Sequence, residues 1–261
     1  MNRLDGKIAE AKSIIRAAMD KTPKGVPLIC NFSGGKDSSC VLRLAMEVTD
    51  NIECFYMASH DLPGAIEYAA ESAGRFGKEL MVSRAEDYQG GLVDLVRRYR
   101  TWPLPHRPWC SGRLKIRPGR AFLRKRFGRT SLVKMTGVRK AESSRRSRMY
   151  DLGAPIVQDP EHSGSWLAHP ILNWEDTDVQ EFLAHHDPLP PSPLYKAVGV
   201  SGCYWCPFYT DPIIIAVERM FPGIHKPFID VEAELGKPAM AGFRYLRDIV
   251  AKACGGQGGS R

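Results

Sequence analysis

No stretch of this 261-residue chain is apolar over anything near the roughly 18 residues that a membrane helix requires. The first residues, Met1-Asn2-Arg3-Leu4-Asp5, lack the apolar run of a secretion signal, so the expected location is the cytoplasm, with no membrane partner. Internal repeats are absent. Two familiar phosphate-binding spacings are missing as well, the Walker A pattern G-x-x-x-x-G-K-[ST] and the dinucleotide pattern G-x-G-x-x-G. Cysteine is sparse, seven residues with no two adjacent, and in a cytoplasmic chain these are not read as disulfides. Cys30, Cys40 and Cys54 stand in apolar contexts and are expected to pack as small hydrophobes. Acids are nearly absent from one region: between Arg97 and Arg148, 18 of the 37 Lys and Arg residues face a single acid, Glu142. Such a block suits a solvated surface, a nucleic-acid footprint or a polyphosphate pocket. Aromatics do not interleave it as a single-strand stacking platform needs, and the preferred reading is a nucleotide pocket with an electropositive rim.

What is present is concentrated at residues 33–39, Ser-Gly-Gly-Lys-Asp-Ser-Ser. The apolar run Val26–Phe32 leads in, and a helical pattern with Val41, Leu42, Leu44, Ala45 and Val48 leads out. Strand, small-residue turn and helix together make the geometry in which backbone N–H groups and a helix N-terminus converge on an anion. Two glycines permit close approach of phosphate, and Lys36 adds a point charge. Ser33, Gly34, Gly35, Lys36, Asp37 and Ser38 are the candidate cradle, and Asp37 is a candidate Mg²⁺ ligand if ATP is bound.

Periodicity predicts helices over 2–20, 64–76, 86–100, 119–127 and 175–186, the last with Thr177 as its cap. Strands are predicted over 26–32, 52–57, 79–82 and 131–136. The prolines at 103, 105, 108 and 118 predict loop over 101–118, and 187–212 reads as irregular before a helical tail over 213–253. The expected fold class is α/β, a doubly wound, mostly parallel sheet with helices on both faces, followed by a helical and irregular Cys-containing region. The expected division is 1–153 for the nucleotide-binding domain and 154–261 for the rest.

A second constellation, Thr136-Gly137-Val138-Arg139-Lys140-Ala141-Glu142-Ser143-Ser144-Arg145, follows the strand at 131–136. Arginines there can grip phosphate or sulfate oxygens bidentately. The loop at 33–38 resembles the S-G-G-x-D-S PP-loop of the ATP-pyrophosphatase superfamily. The 136–145 string resembles the G-x-R-x-x-[EQ]-S-x-x-R signature of phosphoadenosine phosphosulfate (PAPS) reductases. Further resemblances run in the family's order: Trp109–Lys115, His169–Trp174, Asp178–Leu183, Pro193-Leu194-Tyr195 and Gly202–Pro207, over roughly residues 26–210. The resemblance implies an adenine nucleotide at the loop, ATP or adenylyl sulfate (APS) or PAPS. It implies anion-gripping roles for Lys36, Arg139, Arg145 and Lys115, with Asp37 catalytic beside them and Gly137 at the nucleotide. Where the family has Asp-Thr-Gly and Pro-Glu-Thr, this chain has Ala58-Ser59-His60 and Pro63-Gly64-Ala65. His60 and Asp61 are loop residues of the kind that usually face solvent.

Cys203-x-x-Cys206 has the spacing of metal ligands and equally of a redox pair. Family members that reduce adenylyl sulfate pair such a motif with two adjacent upstream cysteines around a [4Fe–4S] cluster; here only Cys110 stands upstream. A cluster on Cys110, Cys203 and Cys206, zinc with a fourth ligand, and no metal all remain open. The family's catalytic tail cysteine has a counterpart in Cys254-Gly255, without its flanking Glu and Leu-His, and Cys254 is expected to be a non-catalytic thiol. The resemblance implies a sulfonucleotide reductase-like oxidoreductase with a thioredoxin-like electron donor. The alternative is an ATP-dependent sulfurtransferase that takes sulfur from a donor and thiolates an acceptor such as a nucleic acid. A non-catalytic nucleotide-binding module is disfavoured by the intact loop.

Overall fold

A computed structural model describes residues 3–104, 109–142, 153–186, 192–200 and 202–254. Contacts divide the chain into two compact units: Met1–Met57, Ile66–Val82 and Arg120–Pro191 form the first, and Ala58–Ala65, Ser83–Gly119 and Ser192–Arg261 the second. These are not the consecutive stretches 1–153 and 154–261, because the chain crosses between the units five times. Residues from both halves of the sequence build each of them.

The first unit carries a six-stranded sheet in the order β3-β2-β1-β4-β6-β5. Its strands are β1 (Leu28–Asn31), β2 (Ile52–Ala58), β3 (Leu80–Arg84), β4 (Val133–Met135), β5 (Ile156–Gln158) and β6 (Trp166–Ala168). The β1–β2, β1–β4 and β4–β6 pairs are parallel, and β5 joins β6 antiparallel at the edge. Both faces are covered, which is why consecutive residues Leu28, Ile29 and Cys30 are all buried. On one face Leu28 and Cys30 pack with Ile15 of α1 (Arg3–Asp20), Val41 and Leu44 of α2 (Lys36–Met46) and Phe182. On the other, Ile29 and Phe55 pack with Leu123 and Leu132. Side chains of this size contribute about 1.5–3 kcal/mol each when fully buried. The cysteines at 30, 40 and 54 are buried in this core, as small hydrophobes. The alternation predicts the doubly wound sheet, and of the stripe Leu4, Ile8, Ala11, Ile14, Ile15 and Ala18 that the period places on one face of α1, all but the half-buried Ile8 are buried.

The first unit also takes in most of α3 (Ala65–Arg75) and of α5 (Arg117–Phe127), and all of α6 (Asp176–His185). Thr177 does not cap α6. The chain enters at Glu175, whose N–H donates to Asp178 Oδ2 at 2.7 Å, and the fully buried Asp178 also pairs with Arg3 and Lys7 of α1.

The second unit is helical, with α4 (Leu92–Tyr99), α7 (Pro193–Val198), α8 (Asp211–Met220), α9 (Lys226–Leu235) and α10 (Leu246–Cys254). Its core centres on Trp102, Trp205 and Phe228, the last two stacked at 5.2 Å. Buried Glu232 accepts from the N–H groups of Ala239, Leu246 and Arg247 at 2.8, 2.7 and 3.2 Å, tying α9 to the start of α10. Two expectations fail locally. Helix α4 begins at residue 92, not 86, because Gly90 adopts φ +89° and breaks the preceding turn. Residues 109–116 are helical, not loop: one turn at Trp109–Ser111, then π-helical Gly112–Ile116 running into α5. Pro118 is the second residue of α5, directly after the π-helical segment. No described helix is long and apolar enough to cross a membrane.

Candidate functional site

The loop between β1 and α2 is tied to itself. Ser38 Oγ and Ser39 Oγ donate to the Gly35 carbonyl at 2.9 and 3.0 Å, and Gly35 N–H donates to Ser33 Oγ at 3.3 Å. Gly34 is required twice over: its φ is +72°, and a Cβ there would meet Ala69 Cα and the Tyr68 ring at 3.1 Å. The first N–H groups of α2 have no intrahelical partners and present a ready anion site.

Strand β4 runs in beside β1 and delivers Thr136-Gly137 against the same loop. A Cβ on Gly137 would lie 2.8 Å from the Asp37 carbonyl carbon and 2.9 Å from Ser38 N, so only glycine lets β4 approach the loop this closely. Gly137→Ala is therefore expected to displace the loop and abolish nucleotide binding, as measured by calorimetric titration, while the sheet stays folded by circular dichroism. Thr136 Oγ1 lies 2.7 Å from His169 Nδ1, and burial alone lowers the His169 pKa to about 4, so this ring is neutral.

Two residues beyond Gly137, Arg139 is 2% exposed and reaches back over the loop. Its Nε donates to Asp37 Oδ1 at 2.7 Å, Nη2 to Asp176 Oδ1 at 2.9 Å and Nη1 to the Trp174 carbonyl at 3.3 Å. Lys36 Nζ binds the same Asp176 oxygen. Hydrogen bonds from Lys36 and then Arg139 hold the exposed Asp176 carboxyl below its usual range. Of the expected anion-gripping set, Lys36 and Arg139 meet here with Asp37 and Gly137. Asp37 is engaged by Arg139, and Asp176 joins them unannounced. Arg145 lies outside the described residues. Lys115 belongs to the second unit and has different neighbours.

Those neighbours are the cysteines. In the second unit, residues 60–62 pair with 202–204: Tyr204 N–H donates to the His60 carbonyl at 2.9 Å and Leu62 N–H to the Gly202 carbonyl at 2.8 Å. The Cys203–Cys206 turn is then clamped at each carbonyl. Tyr209 Oη donates to Cys203 O at 2.9 Å, His225 Nε2 lies 3.1 Å from Tyr204 O, and His60 Nε2 lies 2.7 Å from Trp205 O. Glu218 holds His225 from behind at 2.7 Å. Ser59 Oγ is 3.5 Å from Cys203 Sγ. Burial pushes the Cys203 thiol up, but the hydrogen bond and charge of His60, with Lys115 and Ser59, outweigh it and bring its pKa down to about 7. Cys206 and Cys110 go the other way: burial raises Cys206 to about 11 and lifts Cys110 above its usual value. Burial opposes the charge on Lys115, but Cys203, Asp61, Cys110 and Cys206 raise its pKa overall, so these groups share one neighbourhood. One thiolate beside an ammonium and an imidazole is the arrangement of a reactive cysteine. His60 and Asp61 are thus part of the site, not solvent-facing loop.

Soft thiolate donors suit iron–sulfur or zinc chemistry. Yet among the described residues no three His, Cys, Asp or Glu side chains are grouped as a metal site. As placed, Cys110, Cys203 and Cys206 do not form a ligand set. Cys254 closes α10, and residues 255–261 lie outside the described residues.

A family model, the phosphoadenosine phosphosulfate reductase domain, matches residues 27–208. The chain belongs to that family. The PAPS reductase domain so defined holds the PP-loop, Arg139 and all three cysteines at 110, 203 and 206, and leaves α8–α10 outside it. An uncharacterized protein of Methanocaldococcus jannaschii is 24% identical over 215 residues, 82% of this chain and 49% of its own length, so the chain spans about half of that curated relative. Among solved structures, the PAPS reductase of Candida auris in its phosphate complex is 14% identical with a TM-score of 0.50, covering 75% of this chain and 92% of that one. The U34-tRNA thiolase of Methanococcus maripaludis with its [4Fe-4S] cluster is 17% identical with a TM-score of 0.52, covering 99% and 90%. These two likenesses are of fold.

Proposed function

We propose that this PAPS reductase-family chain is an adenine-nucleotide-dependent enzyme of sulfur chemistry, a sulfonucleotide reductase-like oxidoreductase that uses Cys203 as its nucleophile. The observation that carries the reading is the Cys203 thiolate, held near pH 7 by His60 and Lys115 on a turn whose carbonyls are all clamped. The PP-loop of the first unit supplies the nucleotide site: α2 N–H groups, Lys36 and Arg139 offer charge where the phosphate or sulfate oxygens bear it.

The chemistry balances with two thiols. The Cys203 thiolate attacks the sulfonucleotide sulfur, the S–O bond to the phosphate breaks, and the nucleotide leaves with the electron pair. Cys203 then carries an S-sulfonate. The Cys206 sulfur, once deprotonated, attacks Cys203 Sγ and forms a disulfide while sulfite leaves with the electrons of the broken S–S bond. A thioredoxin-like dithiol returns the pair to thiols.

A second reading, ATP-dependent thiolation of an acceptor such as a nucleic acid, is supported by the gathering of three thiols about Lys115. It is also supported by the [4Fe-4S] cluster of the thiolase that this chain is similar to. In that reading Cys110, Cys203 and Cys206 would hold a cluster only after shifting from their present placement, and Mg²⁺ accompanies ATP. Anaerobic incubation with ATP, and separately with APS or PAPS plus thioredoxin, distinguishes the readings. The first predicts sulfite that is lost in Cys203→Ser and kept in Cys254→Ser. Pyrophosphate with an acceptor, together with protein-bound iron and sulfide, favours the second. Neither product from any nucleotide overturns both.

A further inference from the structure

The basic block at 97–148 is the one sequence feature that the two sites leave largely unused. Arg139 serves the PP-loop, Lys115 the thiols, and Arg97 pairs with Glu234 at 2.8 Å. Much of the remainder lies on α5 and just beyond it. From Arg120 to Arg129 the first unit carries Arg120, Arg124, Lys125, Arg126 and Arg129 with no acid among them. Arg124, Lys125, Arg126 and Arg129 are exposed. Arg126 lies over the Phe127 ring at 5.2 Å and comes no closer than 3.9 Å to Glu53, and no ion pair joins Arg124, Lys125 or Arg129 to another described residue.

A favourable helix dipole accounts for a cation or two in a last turn. It does not account for Arg120 and Arg124 four residues apart on one face, where like charges destabilise a helix. An independent sign of the field is buried His162. Burial lowers its pKa first, and Lys134, Arg124 and Arg120 lower it further against the opposing pull of Asp159. Of the acids nearby, Asp159 is committed to Lys134, and at Glu161 it is the backbone carbonyl that accepts from Arg120, at 2.6 Å.

We infer that the exposed face of α5 is a docking surface for the phosphodiester backbone of a nucleic-acid duplex. Charge complementarity carries the choice of partner, and the residue types carry its form. The aromatics of α5 turn inward, Phe122 stacking on Phe55 at 5.5 Å and Phe127 packing on the same core, so no ring is free to stack an unpaired base. Between Arg124 and Arg129 the exposed side chains are all Arg or Lys, the residue types that neutralise and contact phosphate oxygens. The surface does not rest on the sulfur chemistry; where the thiolation reading holds, it names the class of acceptor.

The test is fluorescence polarisation with labelled 20-base-pair RNA and DNA duplexes of one sequence, at about 50 to 200 mM KCl. Wild-type affinity should fall linearly in log–log form with salt. The triple variant Arg124→Gln/Lys125→Gln/Arg129→Gln should bind at least tenfold more weakly, its slope shallower by roughly 0.9 per lost phosphate contact. The double variant Arg124→Lys/Arg129→Lys, with Lys125 kept, should retain binding. ATP titration of the same preparations checks the nucleotide site separately. No binding of either duplex by the wild type at the lowest salt, or equal affinity and slope in the Gln variant, overturns the assignment. A preference for RNA or DNA identifies which duplex it serves.

Discussion

Replacing Arg139 by alanine is expected to weaken ATP or sulfonucleotide binding at least a hundredfold and to lower the thermal midpoint on the order of 10 °C. The guanidinium is 2% exposed and holds Asp37 and Asp176 at once, at 2.7 and 2.9 Å. Its removal deletes two charge-assisted hydrogen bonds and one to a carbonyl, at about 1.5–3 kcal/mol for each bond to a charged group. In a chain of this size each kcal/mol moves the midpoint by roughly 2–4 °C. The binding loss has a separate origin. Without Arg139, the Asp37 carboxylate stays in the mouth of the loop with no counter-charge, where it would repel the phosphate proposed to bind there. Arg139→Lys should recover part of the stability and little of the affinity, because an ammonium cannot bridge two carboxylates and a carbonyl in one plane. Calorimetric titration with ATP, APS and PAPS, beside differential scanning calorimetry, checks both numbers. Asp176 offers a contrasting control: it occupies Lys36 and Arg139 from an exposed position, so Asp176→Asn should spare the fold and tighten anion binding.

The second large effect belongs to Cys203. Cys203→Ser should bring sulfite or thiolated product to background while leaving the nucleotide affinity of the first unit unchanged. Serine keeps the size and the polar contact with Ser59 but is no nucleophile near neutral pH. The pH dependence follows from the thiolate being the reactive form. With the thiol lowered to about 7, iodoacetamide labelling at Cys203 should rise through a midpoint near pH 7 and fall tenfold for each unit below it. Cys206, raised to about 11, should stay unlabelled across the same range. His60→Ala should move the Cys203 midpoint up to the ordinary thiol range or beyond, because burial then acts on it with less opposition. Peptide mass spectrometry resolves the individual cysteines. A midpoint unmoved by His60→Ala would remove that histidine from the site.

What could be read in advance tracks how local the determining interactions are. The PP-loop was legible because its signal is contiguous: an apolar strand, two glycines, a lysine and an apolar helix within 26–48. Gly137 was legible as a strand-end residue, although the reason for it, contact with Asp37 and Ser38, is a long-range fact. Helix α1 and the buried strands announced themselves by period and by apolar runs. Asp176 gave little warning, since an acid in the first turn of a helix is ordinary and its partners lie 140 and 37 residues away. The position of His60 after β2, at the carboxyl end of a parallel strand, was the signal available for it. Pairing with residues 202–204 is what turned that loop into part of a thiol site. The resemblance implies an anion-gripping role for Lys115, and the π-helical 112–116 segment places it among the cysteines, neighbours that the sequence did not announce. Charge at a position is written in the sequence; the identity of its neighbours is settled by tertiary packing.

The most direct test of the central claim is nucleotide binding at the loop between β1 and α2, measured by calorimetric titration of wild-type protein and Lys36→Ala with ATP, APS and PAPS. A saturable one-to-one isotherm for at least one nucleotide, weakened tenfold or more in Lys36→Ala, is the predicted result. Equal affinity in the two proteins, or no binding of any adenine nucleotide by the wild type, would contradict it.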